Sequence, residues 1–117
     1  MTIKEINKKI AELKVERDRL VNHDLEIAHK NVGRCFQCGG CEYIKILGEP
    51  EKKFDAWAHS YYGYSALILE IDDDDLPFDF TDVSINFNLG HEVSQEEFNK
   101  QFENAVARLR EKAGIGV

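Results

Sequence analysis

Several features are scarce or missing in this sequence, and each absence excludes a class of protein. No apolar run approaches the roughly 18 residues of a membrane span, and the N-terminus has no hydrophobic region of a signal peptide. The three cysteines are an odd number, which argues against a disulfide framework. We therefore expect an intracellular, cytoplasmic protein with no membrane partner.

The usual catalytic and phosphate-binding motifs are also missing. Neither standard Gly-rich phosphate loop is present, and no local spacing pairs a histidine with a cysteine nucleophile. The acidic run 72–75 does not begin a calcium-binding loop. Counted from Asp72, the sixth place of that pattern requires glycine, but the chain has Pro77 there, which also supplies no side-chain oxygen ligand. These absences predict a protein that is not an enzyme.

Basic residues are the minority charge. Fifteen Lys and Arg stand against 22 Asp and Glu, which gives a formal net charge of −7. Such a surface repels nucleic acid, so we expect no direct nucleic-acid partner. Hydrophobic residues at 43% and charged residues at 32% are ordinary for a globular protein. A chain of 117 residues is long enough for one core, and we expect a single domain over 1–117.

The first 31 residues predict one long helix. No proline or glycine stands between Thr2 and Lys30, and apolar residues recur at heptad spacing at Ile3, Ile6, Ile10 and Leu13. The helix would extend about 45 Å, which is more than this domain needs. We therefore expect it to pair with another copy in a homo-oligomer, where Arg17, which falls on the apolar seam, would need an anionic partner. The alternative is a single amphipathic helix lying across a sheet.

A β-hairpin is predicted next. The β-rich runs 32–37 and 41–47 flank Gly39 and Gly40, a pair that suits the two central positions of a type I′ turn. That register places Phe36 opposite Tyr43 and Cys38 opposite Cys41 on one face, together with the cations Arg34 and Lys45. The other face carries Cys35, Ile44 and Ile46 and is expected to enter the core. The two facing cations are either splayed on a solvated face or form an anion site beside the aromatic rings.

The remaining elements complete an α+β fold, in which an antiparallel sheet of about five strands spans 32–89. Strands are predicted over 54–62 with Trp57 inside, over 65–71 after a turn at Gly63, and over 82–89, while 72–80 is expected to be a loop. A C-terminal helix over 94–113 is expected to pack on the sheet. Ser94 and Glu97 form its capping box, and Gly114 suits its C-terminal cap.

The cysteines offer a weak metal site. The spacing of Cys35, Cys38 and Cys41 resembles part of a zinc knuckle, and a fourth ligand would come from His29, His59 or His91. The hairpin register opposes this site because it points Cys35 away from the other two. No cofactor is expected, and a zinc-stabilised adaptor is kept as a third hypothesis.

A ligand-binding surface uses residues that the other interpretations leave unexplained. Aromatic rings stack on bases, cations meet phosphates, and asparagine amides can recognise a base edge. The candidate residues for these roles are Arg34, Phe36, Tyr43, Lys45, Phe80, Asn86, Asn88, Arg108 and Arg110. Arg108 and Arg110 would also complement the negative end of the helix dipole, which explains them without a ligand.

The acidic residues support a different hypothesis, an inhibitor that copies the phosphates of DNA and binds another protein. The run 72–75, with Glu70, Asp79 and Asp82, could present spaced carboxylates to a basic groove of a host defence or nucleic-acid enzyme. A solvated acidic turn explains the same residues more simply.

The order of elements resembles small accessory proteins of tailed phages. The matching features are the long helix, the Val-Gly-Arg-Cys-Phe and Tyr-Ile-Lys-Ile-Leu strands, and the Val-Ser-x-Glu-Glu-Phe helix start. Among these proteins the chain is most similar to the Thoeris anti-defence 1 family. The resemblance implies an oligomer in the host cytoplasm that sequesters cyclic ADP-ribose isomers or other cyclic nucleotides without cleaving them.

The same resemblance implies roles for individual residues. Arg108 or Arg110 would bind phosphates, while Phe80 and Asn88 would contact a base. The cysteine cluster and the net negative charge depart from the family pattern.

Overall fold

The computed structural model describes residues 1–40, 42–71 and 77–114 and shows the α+β architecture. An N-terminal helix precedes an open antiparallel sheet of six strands, and a C-terminal helix follows it. The elements are α1 (Ile3–His29), β1 (Cys35–Cys38), β2 (Glu42–Ile46), β3 (Glu51–Phe54), β4 (Ser60–Glu70), β5 (Phe78–Ser84), β6 (His91–Val93) and α2 (Gln95–Lys112).

The long strand β4 organises the sheet. Along one edge it pairs with β5, and along the other it pairs with β2 through residues 66–70 and with β3 through residues 60–63. The segment 47–50, which contains Pro50, separates β2 from β3, since proline cannot donate a ladder hydrogen bond. β1 lies beside β2, and β6 lies beside β1.

Among the described residues, α1 contacts the rest of the protein through its C-terminal end. Residues 3–20 are exposed, Val21 and Leu25 are half-buried, and Ala28 is buried against the sheet. His29 contacts the carboxylate of Glu49 through Nδ1, which ties the end of α1 to the segment before β3. The molecule measures 75 × 30 × 22 Å, and its radius of gyration of 19.7 Å exceeds the roughly 13 to 14 Å of a compact chain of this length. The first two-thirds of α1 therefore project from the sheet.

The sheet is buried on both faces. The face beneath the end of α1 holds a core cluster of Ala28, Phe36, Ile44, Ile46, Tyr64, Ala66, Val83 and Leu89. The face beneath α2 holds a second cluster of Cys35, Tyr43, Leu67, Leu69 and Phe98. Because successive residues of a strand point to opposite faces, alternate residues of β1 and β2 enter different clusters.

The predicted hairpin register is wrong by one residue. Cys38 pairs with Glu42 and Phe36 with Ile44, a register that a two-residue turn at Gly39 and Gly40 does not give. Gly39, directly after β1, has φ +60°, a left-handed conformation that glycine adopts without steric cost. This register sends Phe36 and Tyr43 to opposite faces, and each ring enters a core cluster. The predicted partner of Cys38, Cys41, lies outside the described residues.

The predicted turn at Gly63 is also wrong. β4 continues through Gly63, where a Cβ atom would lie 2.8 Å from a ring carbon of Tyr61 and 2.9 Å from the Val83 carbonyl oxygen. The turn falls instead on residues 55–59, where the Asp55 carboxylate accepts the backbone N–H groups of Trp57 and His59. Trp57, predicted to lie inside a strand, is 80% exposed at this turn.

Two strand boundaries near the C-terminal half differ from the prediction. β5 occupies Phe78–Ser84, so residues 78–80 form a strand rather than a loop, and the chain turns after Ser84. Within the predicted strand 82–89, Val83 and Leu89 are buried, but Phe87 is 48% exposed because it lies in that turn. β6 was not predicted, since its three residues carry no pattern of their own.

The predicted ends of α2 are confirmed. The Ser94 side chain accepts the Glu97 N–H at 3.1 Å, and Gly114 adopts φ +70° after the last turn. Phe98 and Ala105 are buried against the sheet, whereas Leu109 is 38% exposed. Neither α1 nor α2, the two helices of the described residues, is long and apolar enough to cross a bilayer.

Candidate functional site

The two hairpin cations do not face one another. Lys45 is opposite Cys35 in the ladder, and its Nζ donates to Gln95 Oε1 of α2 at 3.2 Å. Arg34 precedes β1, and its Nε lies 3.5 Å from Glu92 Oε2 of β6. The sheet separates the two side chains, so the predicted anion site between them does not form within one chain.

Both hairpin aromatics belong to the core. Phe36 is 8% exposed and Tyr43 is 5% exposed, which leaves neither ring free to stack on a base. The Tyr43 hydroxyl donates to Glu97 Oε1 at 3.3 Å. Burial and the neighbouring Glu97 carboxylate raise the pKa of Tyr43 above its usual value. Their place in this fold is structural, as hydrophobic packing on the two faces of the sheet.

The described cysteines do not converge. Cys35 lies in the cluster beneath α2, whereas the Cys38 thiol faces the other side and donates to the Leu89 carbonyl oxygen at 2.7 Å. Desolvation raises the pKa of both thiols, which favours the neutral form over the thiolate that binds zinc. Cys41 lies outside the described residues. Within the described ranges, no group of three or more His, Cys, Asp or Glu is placed to hold a metal ion.

The helix arginines differ in their surroundings. Arg108 donates hydrogen bonds to the backbone carbonyls of Ile71 and Glu70, at the C-terminal end of β4. Arg110 is exposed in the last turn of α2. Phe80 is 73% exposed on β5 and borders a shallow groove of about 350 Å³ with Ser65, Ala66, Thr81 and Asp82. Of these candidates, Arg110 and Phe80 remain on the surface.

Two of the acidic residues proposed as phosphate mimics, Asp79 and Asp82, lie on β5. Residues 72–75 lie outside the described ranges, and Asp79 is exposed on β5. Asp82 Oδ1 lies 3.0 Å from Lys53 Nζ, and this contact raises the pKa of Lys53. One of the proposed phosphate mimics is thus paired within the chain.

The two predicted asparagines lie in the turn between β5 and β6. Asn88 uses its side-chain oxygen to accept the Gly90 N–H at 3.0 Å, so it shapes the turn. Asn86 is exposed and lines a cleft of about 250 Å³ at the base of α1. Of the nine predicted ligand residues, Asn86 is the one that borders this cleft.

The cleft brings together three separate parts of the chain. Its lining residues are Val21 and Asp24 of α1, Ser60, Tyr61 and Tyr62 of β4, and Ile85 and Asn86 of the following turn. Val21 and Ile85 supply apolar surface, while a carboxylate, an amide and hydroxyl groups supply hydrogen-bonding atoms. The volume of the cleft lies below the roughly 300 to 1,000 Å³ of common ligand pockets, so the cleft has room for one part of a ligand, such as a flat ring, and not for a whole nucleotide. The described lining contains no Lys or Arg, so a phosphate would have to lie outside it.

Sequence reasoning missed most of this cleft. Asp24 and Ser60 are ordinary exposed polar residues. They line the same cleft because α1 lies next to β4 in the fold. The half-buried positions Val21 and Leu25 were the available signal, because they depart from the heptad positions of the exposed seam.

No protein-family model, curated protein or solved structure matches the chain.

Proposed function

We propose that this protein is a non-enzymatic binding protein that sequesters a small nucleotide-type ligand. The observation that carries the proposal is the cleft of about 250 Å³ at the base of α1. Its apolar surface suits the flat face of a nucleobase, and Asp24 and Asn86 suit its amino and carbonyl edge.

The charge of the ligand would be met at the rim of the cleft. Arg17 stands four residues before Val21 and seven before Asp24, so the three share one side of α1. Its guanidinium contacts Asp18 at 3.1 Å on the exposed surface, and a phosphate bound beside it would replace this contact. A phosphate beside Arg17 and a base in the cleft would together use both ends of a nucleotide.

The class of ligand to test first follows from the resemblance to phage anti-defence proteins. Cyclic ADP-ribose isomers and cyclic oligonucleotides combine flat bases with phosphates, the two groups that the cleft and its rim would bind. The proposed role is to lower the free concentration of such a signal in the host cytoplasm.

The proposal is tested by thermal unfolding of the full chain against a panel of cyclic dinucleotides, cyclic trinucleotides and cyclic ADP-ribose isomers. A ligand at about a thousand times its dissociation constant stabilises the folded state by about 4 kcal/mol. For a domain of this size, that corresponds to an increase in Tm of more than about 10 °C. We expect one ligand class to produce such an increase.

Two variants locate the site. Asp24→Asn and Asn86→Ala should each reduce the increase in Tm, because they remove cleft groups from the exposed surface. The matched control is Asn99→Ala on the exposed side of α2, which should leave it unchanged. A panel without any shift would refute the proposal, and an equal shift in all three variants would place the site elsewhere.

A further inference from the structure

We infer that α1 binds α1 of a second copy in an antiparallel coiled coil, in which Ile10 packs against the partner's Leu13 and Lys9 meets the partner's Glu16. The dimer does not require the ligand proposed above, and it uses the aliphatic stem of Arg17 while the guanidinium stays in water.

The projecting part of α1 carries an unused apolar stripe. In heptad notation, the a positions are Ile3, Ile10, Arg17 and Asp24, and the d positions are Ile6, Leu13, Leu20 and Ile27. Ile3 is 78% exposed and Leu13 is 68% exposed, and the seam residues between them also face solvent. The contacts of α1 with its own sheet use Val21, Leu25 and Ala28, which lie outside these positions. The exposed stripe is therefore free to bind another helix.

A helix of this composition needs such a partner. Eighteen exposed residues make few contacts beyond their own turns, and isolated helices of this length are marginal in water. A heptad row of isoleucine and leucine is complementary to another copy of itself, because each side chain fills a gap between those of the facing helix. The second copy is thus the occupant that the stripe fits.

The charges on either side of the stripe decide the orientation. In a parallel pair, Arg17 would face the partner's Arg17 in the seam, and Lys9 at a g position would approach the partner's Lys14 at an e position. Both contacts join like charges. Charge repulsion at both the Arg17 and the Lys9 contacts therefore disfavours a parallel pair.

An antiparallel pair removes both conflicts. Ile10 then packs against the partner's Leu13, Ile3 against the partner's Leu20, and Ile6 against the aliphatic stem of the partner's Arg17, whose head reaches water. The g positions face each other, so Lys9 meets the partner's Glu16, and the two-fold axis makes this contact twice. The Glu16 carboxylate already accepts a hydrogen bond from Arg19 Nε at 3.1 Å, and it can accept further hydrogen bonds.

A longer antiparallel overlap is less favourable. Sliding the helices until Ile3 meets the partner's Ile27 would place Ile6 beside the partner's Asp24 and Glu16 beside the partner's Glu16. The shorter overlap keeps Asp24 outside the seam and holds the two sheets at opposite ends of the paired helices. It also brings the partner's first helical turn level with Val21, at the mouth of the cleft.

One charge reversal distinguishes the orientations. In the antiparallel pair, Lys9→Glu would face the partner's Glu16, so the dimer dissociation constant should rise about tenfold. In a parallel pair the same change would face the partner's Lys14 and tighten the dimer. The double variant Lys9→Glu with Glu16→Lys should restore most of the wild-type affinity. Lys8→Glu makes the same change of charge on the outer side of α1 and should have no comparable effect.

The measurement is sedimentation equilibrium of the full chain over a range of concentrations at low salt. Ile10→Ser combined with Leu13→Ser should yield a monomer, whereas Val15→Ser, which alters an exposed apolar residue on the outer side, should leave the dimer intact. A wild-type chain that stays monomeric up to about 100 µM, or forms a species other than a dimer, would overturn the inference. A tighter dimer in Lys9→Glu would overturn the antiparallel orientation.

Discussion

At the scale of single residues, two glycines with positive φ have different reasons to be glycine. Gly90 adopts φ +80° where β6 approaches β1, and a Cβ atom there would lie 2.0 Å from the Gln37 carbonyl oxygen. Gly39 adopts φ +60° in the β1–β2 loop, with nothing within 4 Å of a Cβ atom. Gly39 is required only by backbone conformation, whereas Gly90 is also required by packing.

We therefore predict that Gly90→Ala destabilises the fold much more than Gly39→Ala. The loop substitution should cost about 1 to 2 kcal/mol, the penalty of a left-handed non-glycine residue. The Gly90 substitution adds a clash with backbone that cannot move without separating β6 from β1, so its cost should exceed about 3 kcal/mol. Chemical denaturation of the two variants measures both values. Equal costs would contradict the close approach of the strands.

At the scale of elements, α2 is held to the sheet by more than its apolar side. Arg108 Nη2 donates to the Glu70 carbonyl oxygen at 3.2 Å, and Nη1 donates to the Ile71 carbonyl oxygen. These carbonyls lie where β4 ends. The guanidinium therefore links the last turns of α2 to the central strand.

This contact predicts a difference between two arginines of one helix. Arg108→Ala should lower the free energy of unfolding by about 1 to 2 kcal/mol, because it removes charged donors from partly buried carbonyls. Arg110→Ala, an exposed position two residues later, should change it by less than about 0.5 kcal/mol. Urea denaturation of both variants supplies the comparison. Equal stability of the two variants would show that the hydrogen bonds from Arg108 to the end of β4 do not stabilise the fold.

At the scale of the whole molecule, two thiols and two phenols in or beside the core have pKa values that are shifted in the same direction. Burial raises the pKa of the thiols of Cys35 and Cys38 and of the phenols of Tyr43 and Tyr64. The folded chain therefore retains protons that the unfolded chain releases once the pH passes the ordinary values of about 8.5 for cysteine and 10 for tyrosine. Unfolding then releases protons, so stability falls as the pH rises through this range.

We predict a Tm that is nearly constant around neutral pH and declines above about pH 8.5. Each such group contributes a slope of at most about 1.4 kcal/mol per pH unit between its unfolded and folded pKa values. Tyr43→Phe should be slightly less stable at pH 7, because it loses the hydrogen bond to Glu97, and should decline less steeply above pH 10. Thermal melts under reducing conditions give both curves. Parallel curves would show that Tyr43 does not contribute.

The cleft also belongs to this scale. It is formed where α1, β4 and the turn after β5 meet, and His29 and Glu49 help to hold α1 in place above the sheet. Asn86 could be proposed from its residue type, but Asp24 and Ser60 could not, because neither belongs to a motif. The predicted site at the hairpin failed for a related reason, since it assumed that the Phe36 and Tyr43 side of the hairpin faced solvent, and α1 and α2 cover both sides.

The sequence alone determined the elements whose signals are local. The extent of α1 follows from the absence of proline and glycine, and the ends of α2 follow from Ser94, Glu97 and Gly114, since caps and helical periodicity act within a few residues. Only the tertiary structure decided the strand register, the continuity of β4 through Gly63, the existence of β6 and the position of the cleft. Strand partners are distant in sequence, and a loop longer by one residue turns each side chain of a strand to the other face.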